Sequence, residues 1–407
     1  MEKMTNTSEN SLYVPNNTFS KIWPFVFLVL TLTIPSLCDV QKFLGNKGLI
    51  FYLLIVPAAV FFLWKFLPFF ITRISERQAF ILMLMFWASV AGIFFLIHPI
   101  ANVHIIGKGS DSNEGLNLAI RELLHMRYPY KVRAFLGNPI SELPGEILLS
   151  IPFAIMGNSA YQNIFWIFIF SIFLRSYFGS WRLVLPLMLM IFIFSPTVDQ
   201  QLVTGGPMLA NEIFIMLSMY LFVTQMSDAR HSELSKIGSA LFLGIAMSSR
   251  LNFVLLAPPL ISCLMQNSDR RKTVKYILFS GTVWLLVTMP FYFYAPESFT
   301  PFHTQASHAS FNGLPFSVIL LPLAGAILSI ALAMRRMGVD CATLFESSAL
   351  IQGFLIVTAI ILSNMAKDEI NFSLSRYGIM FILLGCVPCW LALTKEYSCN
   401  LITVDKK

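Results

Sequence analysis

The sequence predicts an all-α polytopic membrane protein with about twelve transmembrane helices, within a range of roughly 11 to 13. Two observations carry this. Charged residues make up 12% of the chain, where a soluble domain has about 25%. Apolar residues make up 56%, and mean hydropathy is +0.71. A third observation is the arrangement: long apolar runs separated by short polar segments.

A helix of about 20 apolar residues crosses a bilayer. Runs of suitable character fall at 22–38, 49–72, 78–101, 160–174, 183–196, 208–225, 237–250, 251–266, 276–294, 316–334, 347–364 and 377–394. The first 20 residues are polar, and "LTIPSLCDV" offers no small-residue cleavage site. The first run is therefore expected to remain as a helix. The pair 237–250 and 251–266, joined at "SSRLN", reads either as two spans or as one span with a re-entrant turn. The run 145–157 is too short to span and is expected to lie at the interface or half-inserted. The chain is expected to be one integral membrane domain over 1–407, with no soluble domain.

The net charge of +7 and pI of about 9.1 follow from topology rather than from nucleic acid, which is not expected as a partner. With the N-terminus inside, 17 of the 28 Lys and Arg fall in inner segments and 10 in outer ones. Both termini are then cytoplasmic, and "NSDRRKTVK" and "MRRMG" are cytoplasmic turns. Four of the outer segments are 102–159, 197–207, 295–315 and 365–376, and Lys42, Lys47 and Arg250 fall in the other outer connections.

The longest outer segment, 102–159, opens with "GKGSDSNEGLNLAIRELLHMRYPY". Leu116, Ile120, Leu123 and Leu124 share one helical face. This predicts an amphipathic helix lying on the outer membrane face, stopped at "YPY". Ser110 or Asp111 suits its N-cap, with Glu114 three residues after Asp111 as in a capping box. Asp111 has a second reading: a carboxylate at the mouth of a helix bundle can accept a proton from a hydroxyl.

Remaining polar residues divide similarly. Glu142 and Glu146 flank "LPG" and read as interfacial caps. His98 reads as a satisfied helix-end histidine, and Asp199, Asp368 and Glu369 as solvated loop acids. His303 and His308 lie in the loop "PFHTQASHAS". Cys386 and Cys389 form C-V-P-C without a histidine or second pair, so they read as apolar packing residues. No G-x-x-x-x-G-K-[ST] loop is present, so nucleotide hydrolysis has no support.

The sequence has a familiar layout. An apolar helix is followed by an acid and an amphipathic helix ending in "PY". Next come "LPGEILLSIPFAIMGNSAYQN", "SPTVDQQLVTGGPMLANEIF", "LGIAMSSRLNFVLLAPPL" and "RYGIMFILLGCVP". This resembles the polytopic GT-C glycosyltransferases, in particular bacterial mannosyltransferase-like and arabinosyltransferase-like families. The resemblance covers most of the chain in layout, with its most specific part in the first outer loop. It departs in two places. Glu114 is the only acid near Asp111, and the second loop has the lone Asp199 rather than an acidic pair.

The resemblance implies a plasma-membrane enzyme with an extracytoplasmic active face. It would move a sugar from a polyprenyl-phosphate carrier to a glycan, lipid or protein acceptor. Asp111 would be the base, with Glu114 second to it. Asp199, Arg250, Arg376 and His303 would bind substrate, the arginines taking the carrier phosphate. The resemblance fixes no cofactor; it leaves room for a divalent metal ion, and the lone Asp199 argues against a site for it in the second loop. Two other classes fit the same layout. A transporter or flippase would show charged or broken helices within its spans. A cell-envelope polysaccharide polymerase or ligase would carry basic outer loops, and Arg121, Arg127, Lys131 and Arg133 are of that kind.

Overall fold

A computed structural model of the chain describes residues 19–102, 110–228, 230–309, 316–367 and 370–404. His308, Asp368 and Glu369 have side chains outside the described residues. Among the described residues the structure is helical, with one isolated bridge, Arg133 to Pro139, and no strands.

The described residues open with α1 (Phe19–Thr33) and, after a 3-10 turn, α2 (Leu37–Arg73). α2 is broken at Gly45, whose φ of +67° is open to glycine at little cost. There the chain doubles back. Phe25 packs on Phe61 and Trp64, and the Tyr52 hydroxyl donates to the Leu32 carbonyl at 3.2 Å. These contacts make the stretch after Gly45 antiparallel to α1. α3 (Glu76–Asn102) follows.

The first polar segment holds α4 (Ser112–Leu124) and α5 (Pro144–Ile155), and then come α6 (Tyr161–Phe178) and α7 (Trp181–Phe194). α8 (Pro196–Thr204) turns away from α7 by 82°, because Ser195 and Pro196 cannot continue the helix. α9 (Met208–Ser227) and α10 (Glu233–Met247) form a hairpin. Ser248 to Arg250 then lead into a 3-10 segment, Leu251–Leu256, and α11 (Ala257–Asn267). The stretch around "SSRLN" thus joins two helices, α10 and α11.

α12 (Arg270–Tyr294), α13 (Thr300–Ala309), α14 (Ser317–Ala333) and α15 (Ala342–Lys367) complete the rim. A nine-residue 3-10 segment, Ser373–Phe381, leads into α16 (Ile382–Val404), which packs on α1 and α15.

Each of the apolar runs read from the sequence falls on a helix. By length and composition, six stretches among the described residues are able to cross a membrane, or seven if α7 and α8 form one bent span. One of the six, Lys21–Arg73, contains the hairpin at Gly45. α9 and α16 are the most enclosed of these helices. Outer helices present Phe62, Phe66, Leu96, Leu286 and Ile319 to their surroundings. A helical membrane protein explains both facts: apolar side chains facing lipid need no cover.

The bundle has two chemically distinct ends. At one end Glu76 bridges Arg175 and Arg182 at 3.1 and 3.3 Å, Arg335 meets Glu346, and Lys21 meets Glu396. This end joins the α2–α3, α6–α7 and α14–α15 turns to the start of α1 and the later part of α16. The other end carries α4, α5, α8 and the starts of both 3-10 segments.

Two expectations for the first polar segment need correction. The apolar face of α4 packs largely against protein rather than standing open to a membrane surface. Leu116 and Ile120 are fully buried in a small core with Tyr130, Ile140, Ile147 and Phe299. Leu124 alone of that face is largely exposed. α4 also ends before "YPY", at Leu124, with Met126 in the left-handed region at φ +57°. α5 docks by its N-terminus: Gly145 N–H donates to the Ser248 carbonyl at 2.8 Å and Leu143 N–H to Ser249 at 3.2 Å. A Cβ at Gly145 would run into the backbone of Ile245 and Ser248, so this close approach requires glycine.

Candidate active site

The docking of α5 onto the end of α10 sets up the most charged part of the interior. Glu142, just before α5, accepts from the Arg250 guanidinium at 3.0 Å, and both side chains are 5% exposed. Arg250 Nε also donates to the Asn211 amide oxygen at 2.8 Å, in the amide orientation that satisfies its neighbours. The Asn211 nitrogen then donates to Glu146 and to the Pro207 carbonyl. The Ser150 hydroxyl and the Gln162 amide donate to the other Glu146 oxygen at 2.9 and 3.1 Å. One buried cation balances one buried anion. Burial therefore pushes the Glu146 carboxyl up to about 7, while Arg250 opposes the shift. Glu142 and Glu146 are thus interior network members, not the interfacial caps expected from the sequence.

Arg250 is already engaged by Glu142 and Asn211, which reduces its capacity to take a substrate phosphate. Arg376, at the start of the last 3-10 segment, is exposed. Its Nε donates to the Ser373 carbonyl at 3.0 Å, and the guanidinium also contacts the Cys38 thiol. Tyr377 follows it in the chain. Its phenol lies within electrostatic reach of Arg376, Arg250, Glu142 and Asp111. Among the described residues Glu142 and Arg250 are joined directly, while Asp111 and Arg376 share with them the charge they exert on the Tyr377 phenol.

Asp111 occupies the N-cap position of α4, but its side chain makes no cap bond. Its Oδ2 accepts from the Asn138 amide at 2.9 Å. The other oxygen accepts no hydrogen bond among the described residues. The residue is 9% exposed. Among the described residues one oxygen is thus fixed and the other unengaged, which suits proton acceptance. Glu114 is used differently: it accepts from the Phe135 backbone N–H at 3.2 Å, which pins a loop and not the helix start.

Asp199 lies on α8, accessible and without a hydrogen-bond partner among the described residues. Protein nevertheless surrounds it closely enough to push its carboxyl up to about 7 by desolvation. On the same helix Thr197 donates to Asp39 at 2.7 Å, and Asp39 is 7% exposed. Asp39 was not singled out by the sequence, where it looks like any acid after a helix. Burial is what distinguishes it. His303 is exposed, with Nε2 3.4 Å from the Pro296 carbonyl, and joins none of these groups.

His98 is satisfied at its helix end, as expected. Nδ1 lies 3.0 Å from the Val203 carbonyl, which only accepts, so Nε2 is left to accept from Asn158 at 3.2 Å. Asn117 links Asn113 and Asn158 in the same network and accepts from the Ser159 N–H. This network seats α4 against the start of α6. Cys386 and Cys389 are buried packing residues. Among the described residues no three His, Cys, Asp or Glu side chains come together to hold a metal ion.

No protein-family model, curated protein or solved structure matches the chain.

Proposed function

We propose that this chain is a membrane transferase that moves a sugar from a polyprenyl-phosphate carrier to an acceptor hydroxyl. The observation that carries the reading is the grouping of Asp111, Arg376 and the Glu142–Arg250 pair around Tyr377 at one end of the bundle. The free oxygen of Asp111 takes the acceptor proton as the acceptor oxygen bonds to the anomeric carbon. The bond from that carbon to the carrier phosphate breaks, and its electron pair leaves with the phosphate. Arg376 offsets the charge that develops there, since a guanidinium matches phosphate geometry. Displacement in one step inverts the anomeric centre.

In this reading the chain crosses the plasma membrane about twelve times. The end rich in Arg and Lys faces the cytoplasm, and the site end faces outward. The alternation of the apolar helices and the hairpin at Gly45 support that count. The assay is glycan formation in membranes supplied with lipid-linked sugar. R376A is expected to lose most activity while R376K keeps part of it; full activity in R376A would remove the phosphate role.

A second reading, a transporter or flippase, is favoured by one observation. Two interrupted helices meet inside the bundle: Asn252 of one 3-10 segment donates to Gln352 and to Met380 of the other. Broken helices at a buried polar centre are a transporter feature. Movement of lipid-linked sugar across vesicles without transfer would select it.

A further inference from the structure

We infer that Asn138 is a positioning residue for Asp111, carried on a hairpin that straps the outer side of the site. The inference deepens the transferase reading and rests on it for the role of Asp111, but the contact and its test do not.

The strap is residues 131–139. Arg133 and Pro139 form its bridge, Ala134 N–H donates to the Asn138 carbonyl at 2.9 Å, and Gly137 N–H donates to the Ala134 carbonyl at 2.8 Å. Gly137 closes the turn at φ +82°. Arg133 Nη1 reaches across to the Gly137 carbonyl at 3.0 Å. The turn is thus held by its own bonds and needs no further support to keep its shape.

It touches the two acids of α4 at separate points. The Asn138 amide donates to Asp111 Oδ2 at 2.9 Å, and the Phe135 N–H donates to Glu114 at 3.2 Å. The two bonds act differently. The Glu114 bond docks the hairpin through backbone, so any residue at 135 other than proline makes it. The Asp111 bond needs a side-chain donor at position 138. Asn138 is itself exposed whereas Asp111 is 9% exposed, so the amide covers the carboxylate from the solvent side. An amide donor on one oxygen fixes the carboxylate plane and turns the other oxygen to a set direction. Capping does not supply this constraint, because Asp111 makes no side-chain cap.

The test uses the full chain in detergent or nanodiscs and reads no transferase activity. A water-soluble carbodiimide with an amine probe labels accessible carboxyls, and peptide mass spectrometry gives the extent at each. In N138A, labelling of Asp111 is expected to rise several-fold while exposed Glu297 stays constant. N138Q, which keeps the amide, is expected to fall between N138A and wild type. Equal labelling of Asp111 in wild type and folded N138A overturns the inference. Loss of that result leaves the transferase proposal standing, and an active D111N enzyme leaves the strap standing.

Discussion

Glu142 and Arg250 are joined at 3.0 Å with both side chains almost fully enclosed, and they tie the entry to α5 to the exit from α10. A pair this enclosed costs more to break than to make. Removing one member strands a charge, which typically destabilises by about 3–5 kcal/mol. E142A and R250A are each expected to fall in that range by unfolding in detergent. The double substitution should cost clearly less than both losses added, because no charge is left alone. Additive losses would show that the two side chains act independently.

Glu146 gives the fold a pH dependence of definite sign. Its folded carboxyl titrates near 7, above the ordinary 4.5, so the folded state holds its proton more tightly than the unfolded one. The stabilisation is complete below about pH 4.5 and is lost as pH rises towards 7, by on the order of 3 kcal/mol. E146Q carries no such proton. Its Tm is expected to match wild type at pH 5 and to exceed it at pH 8. A wild-type Tm that rises relative to E146Q between those values would reverse the assignment.

The seat of α5 is tested at Gly145. A methyl group there meets backbone atoms of Ile245 and Ser248, which have no side-chain freedom with which to yield. G145A is expected to cost about 1–3 kcal/mol. Wild-type stability in G145A would mean that α5 does not sit this close to α10.

The helices were legible because each needs only a local pattern: an apolar run bounded by polar residues. Gly45 as a turn and the 82° bend between α7 and α8 follow from residues whose backbone preferences are visible in the sequence. The α4 face was legible as amphipathic, but its partner was not. Leu116 and Ile120 meet Tyr130 and Phe299, and periodicity carries no information on which apolar surface completes a face. The site divided the same way. Asp111 stood out by its place before a helix. Its bond to Asn138 spans a loop, and the Glu142–Arg250 pair joins residues 108 positions apart. Glu146, Asp39 and Tyr377 gain their character from burial among distant elements, which spacing cannot show.

Transfer of the acceptor proton to Asp111 is tested most directly by D111N. The amide keeps the size of the side chain and leaves an oxygen for Asn138, but cannot serve as the base. Membranes containing D111N, matched to wild type for inserted protein and thermal stability, are assayed for glycan formed from lipid-linked sugar. With Asp111 as the base, activity is expected to fall by at least about 100-fold, the lower end of what general-base catalysis contributes. Wild-type activity in D111N would contradict it.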